Sequence, residues 1–206
     1  MSRWLLSSVC VCLLGVGGVA ATAATGPDGI TASCSRPAAL AVSKRALCTY
    51  LAALNAPMKT YRAVAARADA VFQEEPDDLH ALIRGLRASR ADHARLATRL
   101  RAIKAPATLR PAHAGQVKSL GLVAQWFERT ALAWVEYETT SNLDGLRAKS
   151  EANRTLTAEA AELQARWLRA LRTGLARARL PQPAWLKEMG KAESGRGSEL
   201  FAGRSL

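Results

Sequence analysis

The chain has 206 residues and a formal net charge of +12; 49% of its residues are hydrophobic, 22% charged and 5% aromatic. That length holds one domain or at most two small ones. The apolar content excludes wholesale disorder, and its dispersal along the chain excludes a protein that spans a membrane many times. Alanine, leucine and arginine dominate while β-branched residues are scarce, which favours helix over sheet.

Residues 1–23 read as a cleaved signal peptide. Arg3 supplies the basic start, Trp4 to Val19 an apolar run, and Ala21-Thr22-Ala23 a small-residue cleavage site ahead of Ala24. The run is shorter than the roughly 20 residues a membrane span requires. The expected destination is the periplasm or the exterior. Cleavage removes Cys10 and Cys12 and leaves Cys34 and Cys48, which an oxidising compartment joins. The loop they close is worth about 3 kcal/mol on the chain-entropy scale. Bridged Cα atoms must lie within about 7 Å. A helix starting near Pro37 makes that barely attainable, and a later start with Ser43 as cap makes it easy.

Residues 24–37 form an N-terminal segment and residues 38–180 carry four amphipathic helices. The first seam is Leu47, Leu51, Leu54, Met58, Tyr61, Ala65, Ala68 and Phe72, running in register through Pro57. That pattern predicts one helix kinked at Pro57, where the Ala53 carbonyl loses its donor. The second helix opens at Asp77 or Asp78 and follows Leu79, Leu82, Leu86, Ser89, His93, Leu96, Leu100 and Ile103. Thr108 is the expected cap of the third, whose seam is Val117, Leu120, Ala124, Phe127, Ala131 and Trp134. Ser141-Asn142-Leu143-Asp144 resembles a capping box opening the fourth, which ends before Pro181 and Pro183. Residues 181–206 read as a flexible tail anchored only by Trp185 and Leu186. Short connections make neighbouring helices antiparallel, so the expected fold is an all-α, up-down-up-down four-helix bundle.

The turn Ala105-Pro106-Ala107-Thr108-Leu109, followed by His113 and opening a helix after an amphipathic one, resembles a turn in exported bacterial helical-bundle proteins of unknown function. Pro111 is an addition to that pattern. The resemblance covers only this stretch; it implies an exported bundle and supplies no activity.

Folded this way, the chain sorts its charge. Glu74, Glu75, Asp77, Asp78, Glu136, Glu138 and Asp144 gather at one end. Lys44, Arg45 and Arg110 gather at the other with Arg101, Lys104, Arg166, Arg169, Arg172, Arg177 and Arg179, the last seven as an anion-binding set, while Arg84, Arg87, Arg95 and Arg99 add a basic stripe along the second helix. Helix dipoles account for part of this sorting. Outside the cytosol the remainder points to an anionic envelope surface or an acidic protein as partner, and not to nucleic acid.

Sequence motifs for phosphate loops, zinc proteases, serine hydrolases and Cys/His metal sites are missing, so neither an enzyme, a metal nor a cofactor is expected. Of the three histidines, His80 falls on the polar face and His113 at a helix start. His93 lies on a seam, in the expected packing level with Met58 and Gln164 and one turn from Ser89. Those four residues define the alternative expectation, a pocket for a small molecule or a haem held by His93 and Met58. Leu122 and Trp126 widen the apolar stripe of the third helix, which predicts a homodimer or partner docked there.

Overall fold

The computed structural model describes Cys34, residues 41–73 and residues 78–189. The expected signal peptide, nearly all of the N-terminal segment, the acids Glu74, Glu75 and Asp77, and the end of the tail lie outside the described residues. The protein is all-helical, with five helices packed against one another and no strand among the described residues. They are α1 (Val42–Gln73), α2 (Leu79–Arg101), α3 (Arg110–Thr140), α4 (Leu143–Arg177) and a short α5 over residues 184–189; a 3-10 turn, Ala107–Leu109, precedes α3.

Local chemistry accounts for the boundaries. α1 opens with the Ala41 carbonyl accepting from the Arg45 amide at 2.9 Å, which puts Ser43 inside the helix and not at its cap. The late start brings the Cα atoms of Cys34 and Cys48 to 5.8 Å, with their sulfurs joined. The helix then runs on through Pro57. At α2, Asp78 is the cap: its Oδ1 accepts from the His80 amide at 2.8 Å. Thr108 does not cap α3. The Leu109 amide donates to the Pro106 carbonyl at 2.9 Å, so Thr108 lies within the 3-10 turn and Pro111 falls in the first turn of α3. Ser141 ends α3 in the left-handed region (φ 52°), and Asn142 starts α4 by accepting from the Gly145 amide at 2.9 Å. The capping sequence is therefore used one residue later than its first serine.

α3 is the central element, packed along both α2 and α4. Bonds from Arg90 to Glu128 and from His113 to Leu100 run in opposite senses along α2 and α3, as Lys149–Glu136 and Ser119–Ala160 do along α3 and α4. α1 reaches α4 through long side chains, Tyr50 to Trp167 and Tyr61 to Gln164. At Gly85 the first two helices are so close that an added Cβ would fall 2.9 Å from Val71 Cγ2.

Burial follows the seams and divides the core in two. One cluster holds Leu47, Cys48, Leu51, Leu54, Met58, Leu100, Leu109, Trp167, Leu171 and Leu175. The other, built on small residues, holds Ala65, Ala68, Leu82, Leu86, Trp126, Phe127 and Ala160. The expected anchor of the tail is a helix: Trp185 stacks on Trp167 at a ring separation of 6.0 Å, Leu186 is fully buried, and Glu188 pairs with Arg62. Among the described residues no such segment covers α3, and its Trp126 is met by Phe72 of α1 instead. Trp126 is only 3% exposed, packed between Phe72 and Phe127, and Leu122 is half-buried beside it. Trp126 therefore does not present the exposed surface expected of it, while Leu132 further along α3 is 54% exposed.

Candidate functional site

The end of the molecule formed by the close of α2, the 3-10 turn, the start of α3 and the close of α4 is basic. The turn packs on α4, where an added Cβ at Gly174 would sit 3.8 Å from Leu109 Cδ2. Arg99, Arg101, Lys104, Arg110, Arg177 and Arg179 are all exposed there, with no acidic partner among the described residues. Elsewhere several bases are matched. Arg67 and Arg95 hold Asp92, Arg90 meets Glu128, Lys118 meets Glu159, and Arg154 meets Glu151. Asp92 is partly buried, which raises its carboxyl, but hydrogen bonds from Arg67 and Arg95 outweigh this and hold it below the ordinary carboxylate range. At the opposite end Glu138 lies 3.2 Å from His80, and Glu136 takes Lys149.

Two of these bases stand where the fold disfavours them. Arg110 opens α3, at the positive pole of its dipole, with no acid in the first turn. Arg179 follows the end of α4 with φ 50°, the left-handed position that glycine usually fills. It closes the helix as a glycine would: its amide donates to the Ala176 carbonyl at 3.0 Å and the Leu180 amide to that of Leu175 at 2.9 Å.

Of the expected anion-binding residues, Arg101, Lys104, Arg169, Arg177 and Arg179 are exposed and unpaired among the described residues. Arg166 is tied to Glu162 one turn earlier. Arg172 is half-buried, with Nη2 out of solvent, so its charge is not presented as the others are. Arg110, expected at this end but outside the anion-binding set, and Arg99, expected on the stripe of the second helix, are exposed here too.

Of the expected pocket residues, Ser89 and His93 are bonded to each other, while Met58 and Gln164 make no bond to either. His93 is 1% exposed, donates from Nδ1 to the Ser89 carbonyl at 2.8 Å, and lies against Phe127 with ring centroids 5.2 Å apart. The close approach of Gly85 to Val71 sets His93 about level with Ala63, so Met58, five residues earlier on α1, stands about 7–8 Å away along the axis. Gln164 instead accepts from the Tyr61 hydroxyl at 3.4 Å. Among the described residues there is no group of three or more His, Cys, Asp or Glu that could hold a metal, and no helix long and apolar enough to cross a membrane.

A buried relay stands in the cluster beneath the basic end. His113 Nε2 lies 3.0 Å from the Leu100 carbonyl, and Nδ1 lies 2.9 Å from the Tyr50 hydroxyl, which accepts from Trp167 Nε1 at 3.1 Å. A carbonyl only accepts, so Nε2 carries the proton. Burial lowers the His113 pKa, opposed by the Leu100 bond, and the neutral ring leaves Nδ1 as acceptor for Tyr50. Burial also pushes the Tyr50 hydroxyl up to about 12, with the Trp167 bond opposing. The relay joins all four long helices. Its signal was present in the sequence: His113 precedes Val117 and Leu120 on the seam spacing of α3.

No family model matches the chain, and comparison with curated proteins and with solved structures returns no match.

Proposed function

We propose that this is an exported, noncatalytic protein whose basic end binds an anionic envelope surface or an acidic partner protein. In this reading residues 1–23 are a cleaved signal peptide that delivers the chain to the periplasm or the exterior. The four long helices make an up-down-up-down antiparallel bundle, bent at Pro57, that presents its basic end on a rigid base.

The observation that carries the reading is the placement of Arg110 and Arg179. A base at a helix N-terminus costs about 0.3–1 kcal/mol. A non-glycine residue in the left-handed region costs about 1–2 kcal/mol. Helix-dipole complementarity accounts for Arg99, Arg101, Arg177 and the charge of Arg179, which lie at helix ends, but not for Arg110, and it does not account for a side chain in place of glycine at Arg179. Positive charge kept against the preference of the fold is what a binding surface requires.

The test is co-sedimentation of the full chain with vesicles rich in anionic phospholipid, and capture by an immobilised acidic protein, each at low and high salt. Binding that weakens as salt shortens the screening length from about 10 Å at 0.1 M supports the reading. No binding to either at low salt defeats it.

A further inference from the structure

Gln116 is fully buried on α3, and neither its Oε1 nor its Nε2 has a hydrogen-bond partner among the described residues. Such a group is rare in a folded interior, because the amide gives up its bonds to water and receives nothing in return. Its surroundings are otherwise satisfied: one turn before it His113 is bonded at both nitrogens, and one turn after it the Ser119 hydroxyl donates to the Ala160 carbonyl at 2.8 Å.

The register locates what faces it. Ser119 is opposite Ala160, and an added Cβ at Gly115 would lie 3.4 Å from Leu163 Cδ2. One turn from the Ser119 bond, Gln116 is therefore level with Leu163 and Gln164. Gln164 uses Oε1 to accept from Tyr61, which leaves its amide N–H groups to donate. Gln116 and Gln164 thus stand at one level of α3 and α4 with no direct bond between their amides.

We propose that the core of this protein binds a small neutral molecule that both donates and accepts hydrogen bonds, held by Gln116 and bridged to Gln164. The guest is neutral because the buried polar residues on either side of Gln116, His113 and Ser119, carry no charge to balance an ion. It is small because the adjoining Leu120, Trp167 and Leu168 are themselves no more than 2% exposed. A single water has this chemistry, and so does a small amide or alcohol; the chemistry is shared and the source differs.

The test is a crystal structure of the full chain at a resolution that shows ordered water, with Gln116→Met determined alongside. Density within about 3.2 Å of Oε1 or Nε2 is expected in the wild type and not in the variant. The shape of the density, with mass spectrometry of small molecules released on denaturation, separates water from an organic guest. Gln116→Met is expected to melt no higher than the wild type, since it loses a paired amide. Two results overturn the proposal: no density at Gln116, or a variant that melts higher by about 2–4 °C or more, the mark of an amide that had no partner. If the variant does not fold, the wild-type density decides alone.

Discussion

The hydroxyl of Tyr50 stands 2.9 Å from Nδ1 of His113, a residue 63 positions further along the chain. Around that bond the four long helices are tied by polar groups that have no access to solvent: Trp167 donates to Tyr50, Tyr50 to His113, and His113 to the Leu100 carbonyl. Each member has one satisfactory role, so removing any one strands its neighbours.

Tyr50→Phe is the sharpest probe of that relay. It keeps the ring but leaves the Trp167 N–H without an acceptor and His113 Nδ1 without a donor. The expected loss is about 2 kcal/mol, because buried groups left unpaired cost about 1–3 kcal/mol each and partly relax. Urea unfolding followed by tryptophan fluorescence measures it. A loss under about 0.5 kcal/mol contradicts the relay.

Both buried histidines make stability depend on pH. Burial lowers the pKa of His93 and of His113, against the opposing bonds to the Ser89 and Leu100 carbonyls. In the unfolded chain both return to the ordinary 6.5, so below that value the unfolded state binds more protons. Their contribution is complete above about pH 6.5, declines as the pH falls below it, and levels off once the folded rings protonate. The urea midpoint should fall between about pH 7 and pH 5. A midpoint that is constant or rising over that window contradicts buried neutral imidazoles.

Trp185→Ala tests whether α5 belongs to the core. Its ring is stacked on Trp167 and 4% exposed, so truncation should cost about 3–5 kcal/mol. A cost below about 1 kcal/mol in thermal or urea unfolding would mean that the tail rests on the bundle without stabilising it.

The helical segments were legible because apolar residues recur every three and four positions over long stretches. The caps at Asp78 and Asn142 were legible because their side chains accept from nearby amides. The offset between helices was not. A seam states which face is buried but not how far one helix slides along another; the close approach of Gly85 to Val71 sets His93 more than one turn from the level of Met58. α5 was missed because six residues are too few to show a period. Gln116 was missed because one polar residue inside an apolar helix reads as a solvent-facing position. Arg179 reads from sequence as an ordinary charge, since only the backbone reveals its left-handed conformation.

The central claim is that the basic end binds an anionic partner at some expense to the fold, and Arg110→Glu tests it most directly. At the start of α3 a carboxylate suits the helix dipole, so the variant should be as stable as the wild type or more stable by about 0.3–1 kcal/mol. Reversal removes two units of charge, each worth about 1 kcal/mol of attraction to an anionic surface, so affinity for anionic vesicles at low salt should fall about thirtyfold. Arg129→Glu is the control, changing an exposed and unpaired base in the middle of the same helix. The account predicts opposite signs for Arg110→Glu, stability held or raised and binding lost, with a much smaller loss for Arg129→Glu. Equal losses from both variants, or binding that survives Arg110→Glu, would contradict it.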